Sequence, residues 1–236
     1  MKKIIYTFLT LASLAFVSCS DDDSLPNIVP ADRGTVTDNN GNVYDWIRIG
    51  NQMWTTTNAL NGTAFSEKEY YDNYDWNPVV SESQLEYVVT EYIPTFGNLM
   101  SYEDAVASAP EGWRLPSDED WQKLERTLGM NNTDSRGWRG NGVAYKMQEK
   151  NSGCELGLLI GGSCAYLQNL GTVQQTLKWV NEYGYYWTST IEPDYDDFTM
   201  VYYRKIAAGD GRVSRECMRS ECLLSVRSGM SNNLNL

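Results

Sequence analysis

Four acidic side chains fall within six residues at Glu192, Asp194, Asp196 and Asp197. Hard carboxylate oxygens at that density supply part of the shell of six to eight ligands that calcium requires, and the same run also reads as a solvated acidic loop. Tyr70, Tyr71, Tyr74 and Trp76 crowd rings among Asp72, Asn73 and Asp75. An aromatic face beside a polar neighbour suits a pyranose ring, while the bland reading is a long loop pinned to the core by its rings. Cys154, Cys164, Cys217 and Cys222 form an even set that can make two disulfides in an oxidising compartment. Three connectivities are open, and proximity favours Cys154 with Cys164 and Cys217 with Cys222. No histidine occurs in the 236 residues, which excludes imidazole bases, Ser-His-Asp and Cys-His nucleophile systems and His-ligated metals. A glycosidase needs only two carboxylates, but nothing singles out a pair among 31 acidic residues. Gly161-Gly162 and Gly209-Asp210-Gly211 lack the Gly-Lys-Ser/Thr context of a phosphate loop and read as turns.

These groups need elements to hold them. Two β-rich runs, Thr35–Thr37 and Val43–Ile49, flank Asp38-Asn39-Asn40-Gly41-Asn42, and Asn and Gly tolerate the positive φ of a hairpin turn. A third strand follows over Gln52–Thr57, making a small antiparallel meander. Ser101 caps a short helix to Ala109, with Glu103 and Asp104 in its first turn. Ser117 caps a longer one, Asp118 to Leu128, with Trp121, Leu124 and Leu128 on one face and Gly129 closing it. Its opening Asp118-Glu119-Asp120 suits the helix dipole better than it suits a catalytic pair. The interval 62–97 carries no clean periodicity. Beyond Gly137, short apolar runs at Leu156–Gly162, Tyr183–Thr190, Phe198–Ile206 and Leu223–Val226 read as strands and loops. Strands, two helices, then strands predict an α+β domain with a mainly antiparallel sheet.

Composition and charge set the class. With 42% hydrophobic and 21% charged residues, the chain reads as one globular body with a large core. Lys and Arg number 19 against 31 Asp and Glu, so the formal charge of -12 excludes nucleic acid as a partner. Met1-Lys2-Lys3, the apolar run Ile4–Val17 and Ser18-Cys19 describe an export signal. The run is shorter than the roughly 20 residues needed to span a bilayer. Phe16-Val17-Ser18-Cys19 resembles the lipobox of bacterial lipoproteins, which implies a signal peptide over 1–18 and acylation of Cys19; ordinary cleavage after Ala15 is the alternative. Ser20-Asp21-Asp22-Asp23 resembles the acidic surface-export tag of Bacteroidetes lipoproteins. The expected address is therefore the outer membrane, exposed at the cell surface. Loss of residues 1–18 leaves 17 basic and 31 acidic residues, a charge of -14 that should stand off an anionic membrane. Residues 19–32, with Pro26 and Pro30, read as an extended acidic tether, 33–230 as the body and 231–236 as a polar tail.

Three segments together resemble the Fibrobacter succinogenes major paralogous domain. They are Gly34-Thr35-Val36-Thr37-Asp38 through Gly41-Asn42-Val43-Tyr44 to Ile49-Gly50-Asn51-Gln52-Met53-Trp54; Pro110-Glu111-Gly112-Trp113-Arg114-Leu115-Pro116-Ser117-Asp118-Glu119-Asp120-Trp121; and Gly184-Tyr185-Tyr186-Trp187-Thr188-Ser189-Thr190 with Ser225-Val226-Arg227. They cover roughly residues 33 to 228. The resemblance implies a C-type-lectin-like fold, shared with the formylglycine-generating enzymes, of two helices flanking a twisted antiparallel sheet with long irregular loops. It implies no activity. Members often carry cysteines where this chain has Ala109 and Ser228. Glu192-Pro193-Asp194 is similar to the calcium tripeptide of C-type lectins, but Trp187 precedes it here where the lectin tryptophan follows. The five-residue spacing of Cys217 and Cys222 is similar to the copper-binding pair of the formylglycine-generating enzymes. The expectation is a non-catalytic, lipid-anchored surface protein without a cofactor, calcium aside, that binds a glycan or a surface protein. A structural or adhesin component of the envelope is the alternative, and a copper-dependent formylglycine-generating-type enzyme the distant one.

Overall fold

The computed structural model describes residues 25–65, 68–71, 82–151, 153–169, 172–193 and 198–231. The expected hairpin forms as β1 (Arg33–Thr37) and β2 (Val43–Ile49), antiparallel with Gly34 opposite Trp46. Its turn is fixed by Asp38, whose Oδ1 accepts from the N–H groups of Asn40 and Asn42 at 2.9 Å and whose Oδ2 accepts from Tyr44 Oη at 2.7 Å. β3 (Gln52–Thr55) extends the sheet, and the far end of the chain returns as β11 (Gly229–Ser231) to pair with β3. The meander thus becomes a four-stranded sheet in the order β1-β2-β3-β11.

In the middle of the chain most of the ring-rich stretch expected as a pinned loop, 72–76, lies outside the described residues. After β4 (Lys68–Tyr71), residues 82–96 run helically as α1 (Glu82–Tyr87), a π-helical turn (Val88–Tyr92) and α2 (Ile93–Phe96). Val88 and Tyr92 bury one face of that run, and Tyr92 Oη donates to the Gly161 carbonyl at 2.6 Å. The two capped helices appear where expected, as α3 (Tyr102–Ala107) and α4 (Asp118–Thr127). Ser117 and Asp120 form a reciprocal capping box on α4, and Trp121, Leu124 and Leu128 are fully buried.

β5 (Gly137–Arg139) and α5 (Val143–Gln148) follow, the latter in a stretch expected to hold only strands and loops. β6 (Ser163–Asn169) and β7 (Thr172–Lys178) form a hairpin that β4 joins in the order β4-β7-β6. β8 (Tyr183–Glu192), β9 (Met200–Ala207) and β10 (Val213–Arg219) make a meander closed by β5, in the order β5-β10-β9-β8. The fold is α+β, with several antiparallel sheets and few helices. The expected strands at Leu156–Gly162 and Leu223–Val226 are irregular chain that touches its neighbours through single bridges, Cys164 with Leu223 and Met100 with Leu224 among them.

The four-stranded sheet β5-β10-β9-β8 divides the core. On one face α4 lies across Tyr186, Ile206 and Val213, which share a cluster with Trp54, Trp121 and Leu124. On the other, Tyr185, Trp187, Val201 and Tyr203 meet Met100, Ala105 and Leu224. Between α4 and the sheet sits a buried ionic network. Arg204 donates to Asp118 Oδ1 and Glu125 Oε1, both at 2.6 Å; Arg139 donates to Glu125 Oε2 at 2.6 Å, and Arg215 grips Asp118 Oδ2 at 2.8 Å. Burial would raise the Asp118 pKa, but the bond from Arg215 and the field of Arg204 hold it down at about 2. Asp118 therefore clamps helix to sheet, a larger role than complementing a dipole.

The expected tether from Leu25 onward is part of the body. Leu25 and Ile28 pack against the first core cluster, Lys146 Nζ donates to the Pro26 carbonyl at 2.5 Å, and Ala31 N–H donates to the Arg48 carbonyl at 2.9 Å.

Candidate functional site

One face of β5-β10-β9-β8 collects rings around a cation. The register places Trp138 opposite Ser214, Ser214 opposite Lys205 and Lys205 opposite Tyr185, so one rung of the sheet reads Trp138, Ser214, Lys205, Tyr185. Paired residues share a face and strands alternate with period two, so the next rung on this face reads Glu216, Tyr203, Trp187, with Tyr183 on the other side. The alternation of β8 explains the rest: Tyr183, Tyr185 and Trp187 turn to this second face, Tyr185 and Trp187 buried in the second core cluster and Tyr183 half-buried against it, while Tyr186 turns to α4.

The Lys205 ammonium lies 5.1 Å from the Trp138 ring centroid, 5.8 Å from that of Tyr183 and 6.0 Å from that of Tyr185, within cation–π range of all three. Its side chain keeps 18% of its surface in solvent and pairs with Glu216 Oε1 at 3.4 Å. Glu216 also accepts from Tyr203 Oη at 3.0 Å and from Ser214 Oγ. Burial would raise the Glu216 pKa, but the Ser214 hydroxyl and Lys205 hold it below the usual carboxylate range. Arg212 stacks over the Trp138 ring at 5.6 Å and pairs with Asp210. Burial pushes the Tyr185 and Tyr203 phenols up, and the Tyr203 hydroxyl is committed to Glu216. The accessible margin of the face thus offers half-buried rings at Trp138 and Tyr183, a partly exposed carboxylate at Glu216 and the Lys205 ammonium, while the Ser214 and Tyr203 hydroxyls are buried and bonded to Glu216.

Residues 47–228 match the Fibrobacter succinogenes major domain. The chain belongs to that family. No curated protein and no solved structure matches it. In this family member the segments that carried the resemblance are scaffold. Arg114 pairs with Asp120 at 2.5 Å under the α4 cap. Gly184 passes so close to the Leu159 carbonyl that a Cβ would come within 2.2 Å of its oxygen. Tyr186 Oη donates to that carbonyl at 2.7 Å, and Trp187 Nε1 donates to the Met100 carbonyl at 2.9 Å. Arg227, wholly buried, donates to Asn58 Oδ1 and to the carbonyls of Thr55, Leu156 and Gly157 within 3.0 Å.

The residues singled out from sequence fall elsewhere. Tyr70 and Tyr71 lie on β4, opposite Val173 and Thr172, while Tyr74 and Trp76 lie outside the described residues, as does Cys19. Glu192 ends β8 at the opposite end of its sheet from Tyr183, and its carboxylate is taken by Arg136. Hydrogen bonding from Tyr202 and the Arg136 charge lower its pKa. Asp194, Asp196 and Asp197 lie outside the described residues, among which no group of three or more acidic or thiol ligands is gathered for a metal.

Neither expected local pair, Cys154 with Cys164 or Cys217 with Cys222, is disulfide-bonded in the structure. Cys154 is buried in the first core cluster, its Sγ 2.9 Å from the Lys146 carbonyl, and Cys164 in the cluster around Tyr92. Cys217 turns toward Glu192 at 3.7 Å, and Cys222 is buried in the second cluster, so the two do not point at one site. Burial, with Glu192 adding to it, pushes the Cys217 thiol up to about 11. Sequence reading missed Trp138, Lys205 and Glu216 because Trp138 lies 67 positions before Lys205 and 78 before Glu216 and the three meet only through sheet register; the one local signal was the alternation of rings at 183, 185 and 187.

Proposed function

We propose that this chain is a non-catalytic binding module of C-type-lectin-like architecture, carried on an exported, lipid-anchored protein at the cell surface, and that its ligand is a glycan. The observation that carries the reading is the margin of that face where half-buried Trp138 and Tyr183 flank the Lys205 ammonium and the partly exposed Glu216 carboxylate. Aromatic rings suit the apolar face of a pyranose, and a carboxylate and an ammonium beside them suit sugar hydroxyls. Cys19 and the apolar run before it support the lipid anchor. The binding reading gains support from the state of the acids: the seven described carboxylates with a resolved shift are all lowered, Asp118 and Asp120 to about 2, so none of those seven is poised as a general acid. Cys217, held at about 11, is not a thiolate at neutral pH.

The test is a glycan array probed with the full chain in calcium and again in EDTA, alongside Trp138→Ala and Tyr183→Ala. Binding that survives EDTA and falls at least tenfold in both variants is expected. Binding that vanishes in EDTA and ignores both substitutions would move the site to the 192–197 loop and end this reading.

A further inference from the structure

We propose that the saccharide received by this face is the headgroup of a glycolipid in the same membrane that carries the protein, bound beside the anchor and not on a neighbouring cell. The inference rests on the glycan and lipid-anchor readings above. It is carried by the path from the N-terminal segment to the site.

β8, β9 and β10 run the length of their sheet, so the turn after Ala207 lies at one end and the connection after Glu192 at the other. The N-terminal segment docks at the first of these ends. A Cβ added to Gly142 would lie 2.9 Å from Leu25 Cδ1, and Gly142 itself abuts Gly211, where a Cβ would lie 2.6 Å from the Gly142 nitrogen. Ala144 N–H donates to the Gly211 carbonyl at 2.9 Å, and Tyr145 Oη to that of Gly209 at 2.7 Å. Arg212, the next residue, stacks on Trp138, and Trp138 faces Lys205. Leu25, Gly142, Gly211, Arg212, Trp138 and Lys205 are thus linked by successive direct contacts.

Cys19 precedes Leu25 by six positions, a length of chain that spans at most about 20 Å. An acylated Cys19 therefore keeps the turn at 208–212, and with it the margin of the aromatic face, within that distance of the lipid surface, while the charge of -14 on the mature chain opposes contact with anionic lipid, so that the attraction must come from the saccharide. The Glu192 end stands farther out by the length of β9, about 26 Å for eight residues. A ligand displayed by another cell would meet the outer end first. A headgroup in the same leaflet meets Trp138, Tyr183 and Arg212. Tyr145, 49% exposed, and the Arg212 side chain, 53% exposed, add to this end the aromatic and cationic groups that sit favourably at headgroup level.

Hydrogen exchange tests the placement on the full lipidated chain, reconstituted in vesicles of phosphatidylethanolamine and phosphatidylglycerol with or without lipopolysaccharide. In parallel, the free oligosaccharide cleaved from the same lipopolysaccharide is added to the protein in detergent. Several-fold slower exchange of amides in 137–145 and 203–216 is expected only in the lipopolysaccharide vesicles and with the free oligosaccharide, with 186–192 and 198–201 unchanged, and it should be lost in Trp138→Ala. Protection by the free oligosaccharide but not by the vesicles overturns the placement and leaves the glycan reading standing. Equal protection in vesicles lacking lipopolysaccharide overturns the saccharide as occupant. No protection by either source overturns both readings.

Discussion

Glu125 is wholly buried and receives Arg139 on one oxygen and Arg204 on the other. Replacing it by Gln keeps the shape and leaves two buried guanidinium groups short of a charge partner. The expected cost is about 3 to 5 kcal/mol, read as a lower urea midpoint with an unchanged slope. Arg227 makes the complementary case, a buried cation that donates to carbonyls and to Asn58 and not to a carboxylate. Arg227→Lys retains the charge but cannot reach Thr55, Leu156 and Gly157 together with the planar geometry of a guanidinium. A loss of about 2 to 4 kcal/mol is expected by the same urea titration. Neither partnership was legible beforehand. The sequence shows Glu125 as one more polar residue of an amphipathic helix, and only packing against β9 and β5 reveals that it faces inward. What could be read was whatever depends on near neighbours: Ser117 as the cap of α4, Ser101 as the cap of α3, and Asn-Gly in the β1–β2 turn.

Elements were legible in proportion to how far they are determined locally. α4 carries its cap, its apolar stripe and its closing glycine within 13 residues, and it lies within a residue of its expected end. The helical run 82–96 lacks such signals and contains a π-helical turn that breaks the 3.6-residue period, so no clean periodicity is legible there. β10 hides its strand character because Arg215, Glu216 and Cys217 alternate between two buried or half-buried faces, one ionic and one aromatic. The N-terminal segment makes a prediction at this scale. Leu25→Ser removes apolar surface from the first core cluster and from contact with Gly142, and should lower stability by about 1 to 2 kcal/mol. Faster limited proteolysis within 25–32 in that variant would confirm that the segment is docked; unchanged cleavage and an unchanged melting temperature would show it hanging free.

At the scale of the molecule, acid stability follows from the ionic network. Asp118 and Asp120 are held at about 2 in the fold, below the ordinary carboxylate value of 3.8. A pKa lowered by folding contributes stability that is fully present above about pH 4 and is lost as pH falls through about 2. At roughly 1.4 kcal/mol per unit, the two together are worth about 5 kcal/mol. Circular dichroism from pH 7 to 1.5 should show a cooperative loss of structure between pH 4 and 2, shifted upward in Asp118→Asn. Absence of histidine, an acidic balance and the family segments were all fixed by the chain itself, because they depend on residue type and on short spacing. The tertiary structure alone decided the rest. It docked residues 25–32, separated Cys217 from Cys222, and brought Trp138, Lys205, Glu216 and Tyr185 onto one face. Those residues are distant in sequence, and strand register, which no local pattern specifies, sets which of them meet.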